Sequence, residues 1–312
     1  MNIAILGATS NIAKDLILNI ISKNPEIDVS LFARNLSSIN SWLDQKNITS
    51  SIKKSCIYED FKKNDKYDVI FNFVGIGDPA KAIEMGGSIF DITHQYDTLA
   101  IDYINHNPKT KYIFLSSGAV YGPDNFSKNV HNQSQGNFRI NNFQRQDWYS
   151  IAKLHAECRH RSLKDKSIID IRVFNYINTN LDINSRFLIA DAVRAIKYNR
   201  DFLTSSNNIT RDYIGPDDFY NLIKSFLLVS DFNGPVDCFT KSPVKKFTML
   251  DMLKKEFGLD YFIDDSPVGI NSTGDKANYY SKNYIAKDYG YSPIYSSLET
   301  IKKEVTQILK NK

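Results

Sequence analysis

The chain has 312 residues, is 42% hydrophobic and 24% charged, and carries a formal net charge of +4, the profile of a globular protein long enough to bury a large core. That profile excludes a disordered chain, a collagen repeat and a coiled coil. Its basic residues, spread along the sequence rather than gathered in a stripe, argue against nucleic acid or a membrane surface as a partner. No apolar run approaches the roughly 20 residues that span a bilayer, and Met1 to Leu6 leads into a glycine with no pattern of a secretory leader. The three cysteines, Cys56, Cys158 and Cys238, lie far apart and suit unpaired packing thiols of a reducing compartment. A cytoplasmic protein is the expectation.

In chain order, Asn2 to Leu6 is a short apolar run, and Ile12 to Ile21 repeats apolar residues with the period of an amphipathic helix. Strand-like runs follow at Val29 to Phe32, Ser55 to Tyr58, Val69 to Phe73 and Tyr112 to Leu115, with polar or helical stretches between them. Continuous apolar strands alternating with helices predict an α/β fold with a doubly wound parallel sheet, covered on both faces. A helix is predicted from Trp148 to Ser162, then a strand from Ile168 to Phe174. Beyond Asn175, helices are predicted over Phe187–Tyr198, Phe219–Val229, Met249–Phe257 and Leu298–Leu309. The expected organisation is a dinucleotide-binding domain over residues 1–175 and a smaller interwoven substrate lobe over 176–312, with a segment near 210–230 returning to the first domain.

Glycine is scarce, 14 residues where typical usage is about 7%, so each cluster marks a backbone demand. Gly7 opens GATSNIA (Gly7 to Ala13) between the first strand and the first helix, where a dinucleotide pyrophosphate needs a tight turn and a helix N-terminus. Ser10 and Ala13 stand where further glycines are usual, and a plain strand-to-helix turn is the alternative. Ser116 to Gly122 (SSGAVYG) follows the strand Tyr112 to Leu115 and puts hydroxyls at the carboxyl edge of the sheet. In YSIAK, Tyr149 and Lys153 lie one helical turn apart. Tyr-x-x-x-Lys also occurs at Tyr58 and Tyr220, but only the Tyr149 pair begins a helix one interval after the serine-rich strand end. Lys153 there is expected to lower the Tyr149 pKa from about 10 towards working pH, as a general acid/base requires.

With RDYIGPDDF (Arg211 to Phe219), these motifs in this order resemble the extended short-chain dehydrogenase/reductase family, whose members act on nucleotide sugars. The resemblance covers almost the whole chain, through Gly274-Asp275 and YGYSP (Tyr289 to Pro293). It implies a Rossmann domain, a nicotinamide cofactor, a nucleoside-diphosphate sugar as substrate, and a homodimer formed through the helices near Phe90 to Asn105 and Trp148 to Ser162. By the same resemblance Tyr149 is the proton donor/acceptor, Lys153 its partner and the holder of the nicotinamide ribose, and Ser117 the hydrogen-bond donor to the reacting oxygen. Gly7, Thr9, Ser10, Asn11 and Ile12 match the pyrophosphate loop. Asp60 and Phe61 match the adenine contact, and Asn72, Phe73, Val74 and Gly75 (NFVG) match the cofactor wall. Ser117, Gly118, Asn175 and Arg211 match substrate contacts; a surface ion pair of Arg211 with Asp212 or Asp217 is its alternative.

Departures from the pattern refine the expected chemistry. Ala33 occupies the place of the ribose-binding acid, and Arg34 follows it, which favours NADP over NAD because a guanidinium pairs with a 2′-phosphate. The acidic pair of the dehydratases is replaced by Gly118 and Ala119, so dehydration is disfavoured. Reduction of a 4-keto (6-deoxy)hexose is the preferred expectation, with NAD-dependent 4-epimerisation and a non-catalytic NADP-binding regulatory protein as alternatives. His94 stands for a usual asparagine, and Ser272 for an arginine that binds diphosphate. The histidines at 106, 131, 155 and 160 show no metal-ligand spacing, and no metal is expected.

Overall fold

A computed structural model describes residues 1–76, 79–266 and 276–310. The apolar runs become parallel strands: β1 (Asn2–Leu6), β2 (Asp28–Phe32), β3 (Lys54–Cys56), β4 (Val69–Asn72), β5 (Lys111–Ser117) and β6 (Ile168–Val173). The intervening helices are α1 (Asn11–Lys23), α2 (Leu36–Gln45), α3 (Pro79–Met85), α4 (Ser88–His106) and α5 (Trp148–Ser162). A seventh strand, Asn233–Asp237, completes a sheet whose order from that edge is Asn233–Asp237, β6, β5, β4, β1, β2, β3. All neighbours pair in parallel; Ile3, for example, lies opposite Val29 on one side and Val69 on the other. This is an α/β Rossmann-type fold with a doubly wound sheet.

The chain winds outward from β1 to β3, then returns to lay β4 on the other side of β1. That reversal opens a crevice at the carboxyl ends of β1 and β4, the place where open α/β sheets bind ligands. One apolar core fills the face covered by α1, α2 and α7 (Pro216–Leu227), with Leu16, Ile20, Leu222 and Phe226 buried in it. Another lies beneath α4 and α5, around Phe32, Phe61, Tyr112 and Phe114.

The strand predicted over Ser55 to Tyr58 is shorter, ending at Cys56 before a 3₁₀ turn over Tyr58–Asp60. Asn233–Asp237 (NGPVD) has no strand-like pattern. It pairs only with β6, so the missing N–H of Pro235 is tolerated at an edge. This strand extends the return to the sheet beyond the expected segment near 210–230. The second lobe packs α6 (Leu188–Tyr198), α8 (Lys246–Phe257) and α9 (Ser297–Lys310) around a core that includes Val193, Leu250, Leu253, Ile301 and Val305. Among the described residues no helix is long and apolar enough to cross a membrane.

Candidate active site

The crevice is built first by Gly7. Its φ is +77°, and a β-carbon there would stand 2.7 Å from both the Phe73 carbonyl carbon and the Val74 nitrogen, so no side chain fits. The turns after β1 and β4 therefore touch backbone to backbone. Ser10 caps α1, its hydroxyl accepting from Ala13 N at 3.2 Å, and no acidic side chain lies in the helix's first turn. The early N–H groups of a helix have no intrahelical acceptor, which leaves those of Asn11 and Ile12 and the positive end of the dipole for an anion. Thr9 is exposed beside them, and the Asn11 amide donates to the Asn180 carbonyl at 3.2 Å, linking the loop to the second lobe. The Ser10 departure thus serves the helix as a cap.

Arg34 is exposed just beyond β2, next to buried Ala33, and among the described residues no carboxylate lies within ion-pair distance of it. Asp60 is exposed, whereas the Phe61 ring is packed inward, stacked on Tyr67 at 5.7 Å and edge-on to Phe32 at 5.1 Å. Tyr58, which the motifs did not single out, has its ring 4.5 Å from Tyr96 and interacts with the Gly7 backbone and Arg34. Burial pushes its hydroxyl up to about 12. On the other wall, Phe73 is buried and Val74 N donates to the Asn72 side chain at 3.0 Å. A β-carbon on Gly75 would stand 3.4 Å from Lys153 Nζ, so the wall reaches the residues expected to be catalytic.

Those residues meet where β5 ends and α5 begins. Ser117 is 6% exposed and caps the turn that follows it, accepting from Ala119 N at 3.2 Å. Its hydroxyl is hydrogen-bonded to Tyr149, and it lies 3.4 Å from the hydroxyl of Tyr279. Lys153 is buried, donates to the Leu115 carbonyl at 2.7 Å, and rests 4.3 Å from the centre of the Phe114 ring. The expected lowering of the Tyr149 pKa by Lys153 is not found. Burial raises the Tyr149 pKa, the Ser117 hydrogen bond opposes the rise, and the Lys153 ammonium is turned to the sheet edge. Lys153 itself is brought down to about 8 by burial, against the attraction of Asp97, Asp170 and Glu157.

A β-carbon on Gly118 would stand 2.4 Å from the Phe174 ring, so the position that could hold a second acid is filled by an aromatic face. Asn175 donates to the Asp212 carbonyl at 3.0 Å. Arg211 is 3% exposed, donates to the carbonyls of Thr210 and Lys276, and lies 5.9 Å from the Tyr279 ring centre. The carboxylates of Asp212 and Asp217 bind elsewhere, to Thr240 and Ser297 and to Lys303 and Lys23. Tyr279 belongs to none of the motifs, and its only signal was the Gly274-Asp275 pair just upstream. Ser272, Gly274 and Asp275 lie outside the described residues. His94 is exposed and reaches Arg159 at 3.3 Å. Among the described residues no three His, Cys, Asp or Glu side chains are placed to hold a metal ion.

No curated protein matches the chain by sequence. Solved structures share its fold. It resembles the UDP-glucose 4-epimerase of Thermotoga maritima with UDP-glucose, at a TM-score of 0.78 and 16% identity over 100% of this chain and 99% of that one. It is similar to the UDP-glucuronic acid 4-epimerase of Bacillus cereus in complex with UDP-glucuronic acid and NAD, at 0.77 and 15% over 100% of both chains. The dTDP-glucose 4,6-dehydratase of Bacillus anthracis in complex with NAD aligns at 0.73 and 14%, over 100% of this chain and 97% of that one. The profile of the NAD dependent epimerase/dehydratase family matches residues 3–233, from β1 to the start of the last sheet strand, and the chain belongs to that family.

Proposed function

We propose that the protein is an NADPH-dependent reductase of a ketone, at C4, in a hexose carried on a nucleoside diphosphate. The observation that carries the chemistry is the hydrogen-bonded pair Ser117 and Tyr149 at the sheet's carboxyl edge, beside Lys153 and Gly75. The cofactor fits the residues present: Gly7 makes the tight turn against the Phe73–Val74 backbone, and the α1 N-terminus behind it offers free N–H groups to a pyrophosphate. Arg34, directly after the Ala33 that replaces the ribose-binding acid, supports NADP. Bound there, the nicotinamide supplies the hydride.

The chain's own residues do the rest. Ser117 donates a hydrogen bond to the ketone oxygen and fixes its position. Tyr149 donates a second and transfers its proton to that oxygen as charge develops. A raised Tyr149 pKa keeps this phenol in the acid form at neutral pH, which suits reduction. Lys153 holds the nicotinamide ribose. Asn175 and Arg211, on the second lobe's side, are the contacts for the nucleotide sugar, and Gly118 leaves no base to remove water from it.

The same Ser117 and Tyr149 would also serve epimerisation through a transient ketone, with a retained NAD. A homodimer through α4 and α5 is part of this reading, and sedimentation equilibrium measures it directly. Tyr149→Phe tests the mechanism: turnover is expected to fall by at least about a hundredfold while cofactor affinity stays near that of the wild type. Activity close to wild type in that variant would remove Tyr149 from its role, and a variant that binds no cofactor would show the loss to be structural.

A further inference from the structure

Beneath the cofactor wall runs a chain of buried polar side chains that starts from the wall's own Asn72, and to its other members neither the family pattern nor the proposed chemistry gives a role. It begins at Asn72, the last residue of β4 and 1% exposed. Asn72 Oδ1 accepts from Val74 N at 3.0 Å, and Asn72 Nδ2 donates to the Tyr112 hydroxyl at 2.9 Å. Tyr112, on β5, donates to Asp97 Oδ1 at 3.0 Å. Asp97, on α4, also binds His160 Nε2 at 2.7 Å and Arg159, and His160 Nδ1 binds Asp170 Oδ1 at 2.6 Å. Tyr112, Asp97, His160 and Asp170 are wholly buried.

The direction of each bond follows from its neighbour. A carboxylate only accepts, so the Tyr112 hydroxyl must donate to Asp97 and has its lone pairs left for Asn72. The Asn72 amide must then turn its NH₂ to Tyr112 and its oxygen to Val74. An asparagine amide can otherwise flip at little expense, and the flipped form would face the Val74 N–H with its own donors. The segment so fixed is the one against which Gly7 packs without room for a β-carbon, and it leads to Gly75 beside Lys153. A second link runs through Phe114, whose ring lies under Lys153 Nζ at 4.3 Å and edge-on to the His160 ring at 5.2 Å.

We infer that Tyr112, Asp97 and His160 are positioning residues for the cofactor: through the Asn72 amide they set the Val74–Gly75 turn that receives its nicotinamide half. None of the three is assigned a contact with cofactor or substrate. The inference rests on the nicotinamide-cofactor reading above, and its test separates the two.

The test is Tyr112→Phe, which keeps the ring in the core and removes only the bridging hydroxyl. NADPH and 2′,5′-ADP, which lacks the nicotinamide half, are titrated against wild type and variant by calorimetry. NADPH affinity is expected to fall about tenfold, the worth of one buried hydrogen bond, with the affinity for 2′,5′-ADP unchanged. Asp97→Asn, whose amide no longer dictates the direction of the Tyr112 hydroxyl, is expected to give the same split and serves if Tyr112→Phe does not fold. Unchanged NADPH affinity in a folded variant overturns the inference. So does an equal loss for both ligands, which marks a general structural role. A wild-type protein that binds neither ligand overturns the cofactor reading itself.

Discussion

At the scale of single residues, burial acts on the proposed proton donor Tyr149 and on its neighbour Lys153 in opposite senses. Burial raises the Tyr149 phenol and lowers the Lys153 ammonium, because in both cases it disfavours the charged form. The two groups therefore titrate in opposite directions from their ordinary values. Lys153, at about 8, is the one that changes charge nearest neutrality. Deprotonation removes its positive charge and one of its three N–H donors, so its full contribution is present below that value and falls away as pH rises through it. The expected pH profile of kcat/KM falls as pH rises through about 8, and a profile flat well past that point contradicts the role given to Lys153. The residues Ser117, Tyr149 and Lys153 were legible because local spacing sets them: a serine at a strand end and a Tyr-Lys pair one helical turn apart. Tyr279 was not, since it lies 162 positions along the chain from Ser117 and reaches it only once the chain between them has folded. The expected effect of Lys153 on Tyr149 failed for a different reason: proximity in sequence does not say which acceptor an ammonium chooses, and Lys153 donates to the Leu115 carbonyl.

At the scale of elements, α4 and α5 are joined across their buried side by charge. His160 of α5 sits between Asp97 of α4 and Asp170 of β6, and the two carboxylates carry Arg159 and Arg161 on their outer oxygens. Burial would lower the His160 pKa, but the two carboxylates outweigh it and raise it to about 9. Its folded value lies above the unfolded value of about 6.5. The stabilisation is therefore complete below about 6.5 and is lost as pH rises through about 9. His160→Gln is expected to lower stability at neutral pH by about 3 kcal/mol, since it removes the buried cation shared by two carboxylates and leaves each with its arginine alone. It is also expected to flatten the fall in melting temperature over that alkaline range. Equal stability by urea denaturation, or an unchanged pH dependence, contradicts a charged His160. The helix α5 was legible over its full length from Trp148 to Ser162, but this network was not: periodicity marks His160 as inward-facing without saying what meets it. The edge strand Asn233–Asp237 escaped for a simpler reason, because a glycine and a proline in five residues carry no strand signal.

At the scale of the molecule, the chain is a sheet with a reversal at β1 and β4 and a second lobe that faces the crevice this reversal opens. Alternating apolar runs and helices made the sheet readable in sequence, because parallel strands buried on both faces must be apolar throughout. The second lobe was less readable, since its strands are two or three residues long and take their order from packing against α6, α8 and α9. The proposed division of labour follows from this geometry: the sheet side offers the Gly7 turn and the Ser117–Tyr149 pair, and the second lobe brings Arg211 and Tyr279 to the same place. Whether the hydride is consumed or returned is the question on which reductase and epimerase part. The most direct measurement is the absorbance of NADPH when the purified protein meets dTDP-4-keto-6-deoxyglucose. Stoichiometric oxidation of NADPH with formation of the 6-deoxyhexose is the expected result. Interconversion of UDP-glucose and UDP-galactose with no net change in cofactor, by a protein that retains NAD, would contradict it.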